Sequence, residues 1–244
     1  MIENLTKIVN SEHYNTISVM GLKNSGKTYA MAIMAQLVQK QVYVFDTLGA
    51  ITRKKLMSNA SYIKISEASS ANYLMLFERM RKEYLKGKSE RKNIVFDLSA
   101  FDEDQLVLFA NVFYVWAIKR GNFALVIDEI VDYCPEGAGK YSQGLRRIWR
   151  AGRNYGIWPV ILTTQRPQEA SKKLLAQAQI YFIMKLVHQL DREKVKQLIA
   201  VKFESEWLKA EKEIVELPQK HVFIFDTVLN TFSKAEFPDI SEVK

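Results

Sequence analysis

The chain has 244 residues, 48% hydrophobic and 25% charged, which excludes a disordered or fibrous protein and allows one large domain or two small ones around a buried core. Its single cysteine, Cys134, rules out an internal disulfide and fits a reducing compartment, the lone thiol reading as a bystander rather than a nucleophile. A formal net charge of +8 favours a polyanionic partner, nucleic acid or an anionic membrane surface.

The opening "MIENLTKIVNSEHYN" lacks the basic start and apolar centre of a signal peptide, so a cytoplasmic protein is expected. "TISVM", Thr16 to Met20, is a β-rich run ending at Gly21, and beyond Thr28 the residues Ala30, Ile33, Met34 and Leu37 recur at helical spacing. Further strand-like runs begin at Val42, Tyr62, Asn93, Phe123, Pro159, Ile180 and His221. Several are continuously apolar, as strands covered on both faces are, and helical stretches separate many of them. This rhythm predicts an α/β fold with a mostly parallel central sheet flanked by helices.

"RMRKEYLKGKSERK", Arg79 to Lys92, is a basic helix end running into a loop, either a solvated face or a nucleic-acid contact. The segment from Asp102 to Ile118 is apolar nearly all round, so the helix expected there must be covered on more than one side, by core or by another subunit. Ser99 and Asp102 are spaced like a capping box at its start. Leu106 to Ile118 is too short for a bilayer span and is interrupted by Asn111, so no membrane segment is expected. After Leu190 the sequence turns charged and helical, then returns to strands at "HVFIFDT" and "TFSKAEF". A single domain over residues 1–244 is expected, with a core at about 14–190 and a helical and strand appendage at about 191–244 extending the same sheet.

Between the first strand and helix lies "GLKNSGKT", a glycine, four residues, then Gly26, Lys27 and Thr28. Gly21 and Gly26 let the backbone wrap with its N–H groups inward, Lys27 reaches the β- and γ-phosphates, and Thr28 offers a hydroxyl to Mg²⁺. The following helix turns its positive end to the anion. Gly21, Asn24, Ser25, Gly26, Lys27, Thr28 and Tyr29 are therefore the expected nucleotide contacts, the alternative being a flexible bend that happens to contain a lysine. "FALVIDEI" delivers Asp128, expected to hold Mg²⁺, and Glu129, expected to polarise the attacking water. The second acid favours an ATPase that spends hydrolysis on movement over a small-molecule kinase. "VILTTQRP" then places Thr164 and Gln165 where a polar side chain senses the γ-phosphate. "GLRRIWRAGRNYGI" sets Arg146, Arg150 and Arg153 near one helix face, with Arg147 offset from them.

Together "GLKNSGKT", "FALVIDEI" and "GRNYGIWPVILTTQRP" resemble the FtsK/HerA superfamily of ring-forming, DNA-pumping P-loop ATPases, and "NIVFDLSAF" fits the same group. The likeness covers about residues 14–190, and the small size looks most like the genome-packaging ATPases of double-stranded DNA viruses. The resemblance implies a RecA-like (ASCE) sheet with extra C-terminal strands, assembly into a homo-oligomeric ring, often a hexamer, and ATP with Mg²⁺ between subunits. It carries Lys27, Thr28, Asp128, Glu129 and Gln165 into nucleotide chemistry, and suggests Arg147 or Arg153 as a finger acting on the neighbour's phosphate. It turns the segment after the second acid toward a central channel, making Lys140 and Tyr141 candidate contacts to double-stranded DNA. A capsid, portal or membrane protein as docking partner, and a host-cytoplasmic or virion-associated location, go with the viral likeness. Lys23 departs from the family's pattern and reads as a solvent-facing substitution. The chain lacks the extra domains of the chromosomal members, which argues against a chromosomal role. Alternatives are an ATPase of plasmid, conjugative or filamentous-phage assembly, and an ATP-switched DNA-binding replication or regulatory protein.

Overall fold

Nine strands and eight helices alternate along the residues that the computed structural model describes, 1–66, 70–85, 93–137 and 141–243. In order they are α1 (Ile2–Val9), β1 (Thr16–Met20), α2 (Lys27–Leu37), β2 (Val42–Asp46), α3 (Ala50–Lys54), β3 (Ala60–Lys64), α4 (Ser70–Leu85), β4 (Asn93–Asp97) and α5 (Glu103–Arg120). There follow β5 (Phe123–Ile127), α6 (Gln143–Ala151), β6 (Ile157–Thr164), α7 (Lys172–Leu175), β7 (Ile180–Ile183), α8 (Gln189–Glu213), β8 (His221–Asp226) and β9 (Thr231–Glu236). All strands form one sheet in the order β3-β4-β2-β5-β6-β1-β7-β8-β9. The strands from β3 to β7 in this order pair in parallel, and β8 and β9 add an antiparallel hairpin at the β7 edge.

Parallel neighbours need crossovers, and the helices that provide them cover both faces of the sheet. Side chains along each strand alternate between two cores. Val42, Val44, Ala124, Val126 and Ile161 join the core beneath α1 and α2, whereas Tyr43, Phe45, Phe123, Leu125 and Leu162 join the one beneath α4, α5 and α6. Covering both faces is why the runs read as continuously apolar.

The second core is built on rings. Phe113 of α5 lies with its centroid 4.9 Å from Phe45, 5.4 Å from Phe77, 5.3 Å from Trp116 and 5.8 Å from Tyr43. α5 is covered by the sheet, by α4 and by α6 of its own chain, leaving Val115 exposed. Its cap differs from the expected one. Asp102 is the N-cap and pairs reciprocally with Gln105, while the Ser99 hydroxyl donates to Asp97 Oδ1 at 2.7 Å and belongs to the turn after β4. α6 presses close to α5 at Gly144, where an added Cβ would stand 2.7 Å from Tyr114 Cβ and 3.0 Å from the Ala110 carbonyl oxygen.

The C-terminal elements share these cores. α8 breaks at Phe203, whose φ of −134° and ψ of 39° leave the helical region, and Phe203 and Trp207 pack on Phe225 of β8. Among the described residues no helix is long and apolar enough to cross a membrane. Of the basic stretch Arg79 to Lys92, residues 86–92 lie outside the described residues. Truncating Phe113 to alanine opens a void at the centre of the ring cluster. An expected loss of about 3–5 kcal/mol is checked by the shift in denaturant midpoint at unchanged slope.

Candidate nucleotide site

β1, β6 and β5 are consecutive in the sheet and parallel, so the three motifs emerge side by side from one edge, neighbours about 4.8 Å apart. The loop after β1 is held from its flanks. Gly21 N–H donates to the Thr164 carbonyl at 3.2 Å, Leu22 N–H to the Lys185 carbonyl at 2.7 Å, and Lys220 N–H to the Ser25 carbonyl at 3.0 Å. Asn24 and Gly26 take φ values of 65° and 107°, turning the loop into the first turn of α2. At Gly26 a side chain would be strained by that φ and would meet the Lys220 backbone at 3.3 Å.

Lys27 opens α2 and is only 6% exposed, its Nζ donating to the Leu22 carbonyl at 2.9 Å. Burial lowers its ammonium to about 8, against the pull of Glu129 and Asp128. Thr28 and Tyr29 follow half-buried, Lys23 stands exposed, and Ser25 is buried with its hydroxyl against Met184.

Asp128 and Glu129 follow β5 directly. Asp128 is 2% exposed; its Oδ1 accepts the Thr163 hydroxyl at 2.7 Å, and its Oδ2 is buried without a partner among the described residues. Burial pushes this carboxyl up to about 7, with Asp46 and Glu129 adding to the shift while the Thr163 hydrogen bond and Lys27 oppose it. Glu129 sits at φ 51°, a left-handed conformation that costs on the order of 1–3 kcal/mol in a non-glycine residue. Its carboxylate is clasped by the end of β6, accepting Thr164 Oγ1 at 3.0 Å and the Gln165 N–H at 3.1 Å, while its own N–H donates to Thr163 Oγ1 at 3.1 Å. Burial raises the Glu129 carboxyl too, less those two hydrogen bonds.

These residues fit a magnesium–nucleotide. The buried, unpartnered Asp128 oxygen needs a cation or a proton, Thr28 and the wrapped loop follow β1, one strand beyond β6, and Lys27 supplies a desolvated positive charge. When bound, the ion would neutralise charge developing on the transferred phosphoryl group.

No protein-family model and no curated protein matches this sequence. Solved structures do. The genome packaging NTPase B204 from Sulfolobus turreted icosahedral virus 2, in complex with ATP-gammaS, superposes with a TM-score of 0.62 at 17% identity, over 94% of this chain and 100% of that one. VirB4 of Thermoanaerobacter pseudethanolicus superposes with a TM-score of 0.61 at 12% identity, over 91% of this chain and 89% of that one. At these identities the likeness shows a shared fold, a mostly parallel α/β sheet flanked by helices.

Arg153 is in the turn before β6 and Gln165 just after it, roughly 25 Å apart along eight residues of strand. Arg153 pairs with Glu12 at 3.7 Å, and the Arg147 guanidinium lies 5.9 Å from the Tyr114 ring on the α5 side of α6. Lys140 lies outside the described residues. Tyr141 is half-buried, its hydroxyl engaged with Ser171 and Cys134, and burial pushes the Cys134 thiol up to about 12.

Two residues absent from the motifs complete the loop's surroundings. Lys185 and Lys220 act through their main chains, as above, and Lys220 Nζ also stands 4.5 Å over the Tyr29 ring and 3.4 Å from Asp239 Oδ2. The Tyr29 hydroxyl accepts the Ile240 N–H, so the C-terminal turn is pinned to the first turn of α2. Motif reading has no signal for such contacts, since any residue supplies a backbone N–H.

The Asp128 shift makes stability depend on pH. Its carboxyl holds a proton to about 7 in the folded chain against the usual 3.8, so the native state binds the extra proton and stability falls as pH rises from about 4 to about 7. The unfolding midpoint of nucleotide-free protein is expected to decline across that window, and Asp128→Asn to flatten the decline.

Proposed function

We propose that this chain is an ATPase, a single domain that hydrolyses ATP with Mg²⁺ and uses turnover to drive double-stranded DNA through a homo-oligomeric ring, in the manner of a viral genome-packaging motor. One observation carries the reading: Lys27, Asp128 and Glu129 are desolvated together where β1, β5 and β6 end, beside Gln165. The superposed viral NTPase binds an ATP analogue in its crystals, and a related structure is a DNA-packaging ATPase by name.

In the proposed cycle Lys27 and the loop N–H groups hold the β- and γ-phosphates, and Thr28 and Asp128 hold the cation. Glu129 leaves its clasp on Thr164 and Gln165 to orient the attacking water, and Gln165 reports the loss of the γ-phosphate to β6. Arg153 stands at the opposite end of β6 from this pocket, which supports a neighbour's site as its target, with Arg147 as the alternative finger. Backbone contact with DNA implies strong salt dependence and little sequence preference. A capsid, portal or membrane protein would anchor such a ring at its entry point.

A second reading, an ATPase of plasmid, conjugative or filamentous-phage assembly, shares the nucleotide chemistry and differs in cargo and dock. Glu129→Gln is expected to bind nucleotide as the wild type does and to lose hydrolysis by roughly 10²-fold or more. Steady-state ATPase assays with and without duplex DNA test the motor: stimulation by duplex supports it, and indifference to DNA across a range of salt sinks it.

A further inference from the structure

α6 divides its arginines between two faces. Arg147 turns to Tyr114, whereas Arg146 and Arg150 line a cavity of about 690 Å³ together with Lys173, Gln143 and Gln177. Arg150 also borders a second cavity of about 630 Å³, which runs on toward Arg153 and Lys202. The two adjoin at Trp149, Arg150 and Gln177 and together make a trough along α6.

Three of the trough's cations, Arg146, Arg150 and Lys173, are uncompensated. Glu136 is the carboxylate lining it among the described residues, and it is already taken by Lys194 Nζ at 2.8 Å and by the Lys172 N–H. Among the described residues Arg146, Arg150 and Lys173 form no ion pair. Cations gathered in a concave wall focus a positive potential there, and the guanidinium fork suits phosphate oxygens. None of the exposed large apolar side chains lines either cavity.

The walls are stiff and tied to the nucleotide site. Ser142 caps α6 at Leu145 N–H and donates to Asn111 Oδ1 at 3.0 Å, fixing the helix to α5. The opposite wall pairs Pro135 with Ala170, and Ser171 N–H donates to the Cys134 carbonyl at 3.0 Å. That wall therefore joins the segment after Glu129 to the segment after Gln165. Tyr141 belongs to the same wall, its hydroxyl spent on Ser171 and Cys134.

We propose that this trough seats the sugar–phosphate backbone of duplex DNA, with Arg146, Arg150 and Lys173 as the phosphate contacts; the assignment rests on the DNA-translocase reading. Because one wall is made of both post-strand segments, nucleotide-driven displacement of either one is a displacement of the seat.

The test is the salt dependence of binding to a short labelled duplex by fluorescence anisotropy, in the presence of a non-hydrolysable ATP analogue. The wild type should lose affinity steeply between about 50 and 200 mM salt, and Arg146→Ala/Lys173→Ala should flatten the log–log slope by about 2. Affinity at fixed low salt should fall at least about 10-fold in the same variant. A control of equal charge change, Lys7→Ala/Lys212→Ala, should keep the wild-type slope, and Arg146→Lys/Lys173→Arg should restore it. A double variant with the wild-type slope overturns the trough while leaving the translocase reading intact. A wild type that binds no duplex at any salt overturns that reading itself. Competition by polyglutamate stronger than by unlabelled duplex, abolished in the double variant, reassigns the trough to an acidic protein and overturns the DNA assignment.

Discussion

One lysine and two carboxylates removed from water at the same strand edge is the constraint on which the rest of the molecule depends. Desolvation alone would neutralise all three, and it moves them that way, Lys27 to about 8 and Asp128 to about 7. What keeps the charged forms accessible is the attraction between Lys27 and the two acids and the donors that β6 delivers: Thr163 to Asp128, Thr164 and the Gln165 N–H to Glu129. β6 lies between β5 and β1, and that order sets these donors against the acids. A strand order that parted β6 from β5 would leave buried acids with no donors. Groups held near neutrality are responsive ones, because a cation or an anion arriving beside them changes their protonation.

The same edge explains why the C-terminal segment is placed where it is. The loop after β1 makes few bonds to itself, the Ser25 N–H to the Leu22 carbonyl being one, and it is held by Lys185 after β7 and by Lys220 before β8. β8 and β9 extend the sheet, and by doing so they bring the Lys220 N–H against Ser25 and the Ile240 N–H against Tyr29. Loss of this hairpin would free one flank of the loop as well as expose the β7 edge.

Much of the architecture was legible because strands covered on both faces are long apolar runs and helices keep their 3.6-residue spacing. "FALVI" and "TISVM" match their strands end to end. β3 begins two residues before the run at Tyr62, since Ala60 and Ser61 at a sheet edge carry little apolar signal. The cap of α5 was misplaced by three residues, because Ser99 fits a capping pattern by type and is drawn instead to Asp97. In the pocket, residue types announced Lys27, Asp128 and Glu129, while the clasp on Glu129 and the braces at Lys185 and Lys220 could not be announced. They are backbone donors and acceptors, and sequence says nothing of which carbonyl a chain will bring near them.

β6 also constrains how the two ends of the molecule can influence each other. Its burial pattern is almost unbroken, and beyond an irregularity near its start Val160–Leu162 pair in parallel on both sides, so that stretch cannot change register without breaking the sheet. A change at Gln165 therefore does not travel to Arg153 as a distortion of the strand. Two routes remain: a rigid displacement of the whole sheet, or movement of the short segments that leave its edge, 130–137 and 166–171. Those segments are paired to each other at Pro135 and Ala170 and leave the pocket directly. Glu129 begins one of them and Gln165 the other, and these two residues are bonded. Breaking that bond is thus the smallest event at the pocket that alters how both segments are held, and it leaves the sheet untouched.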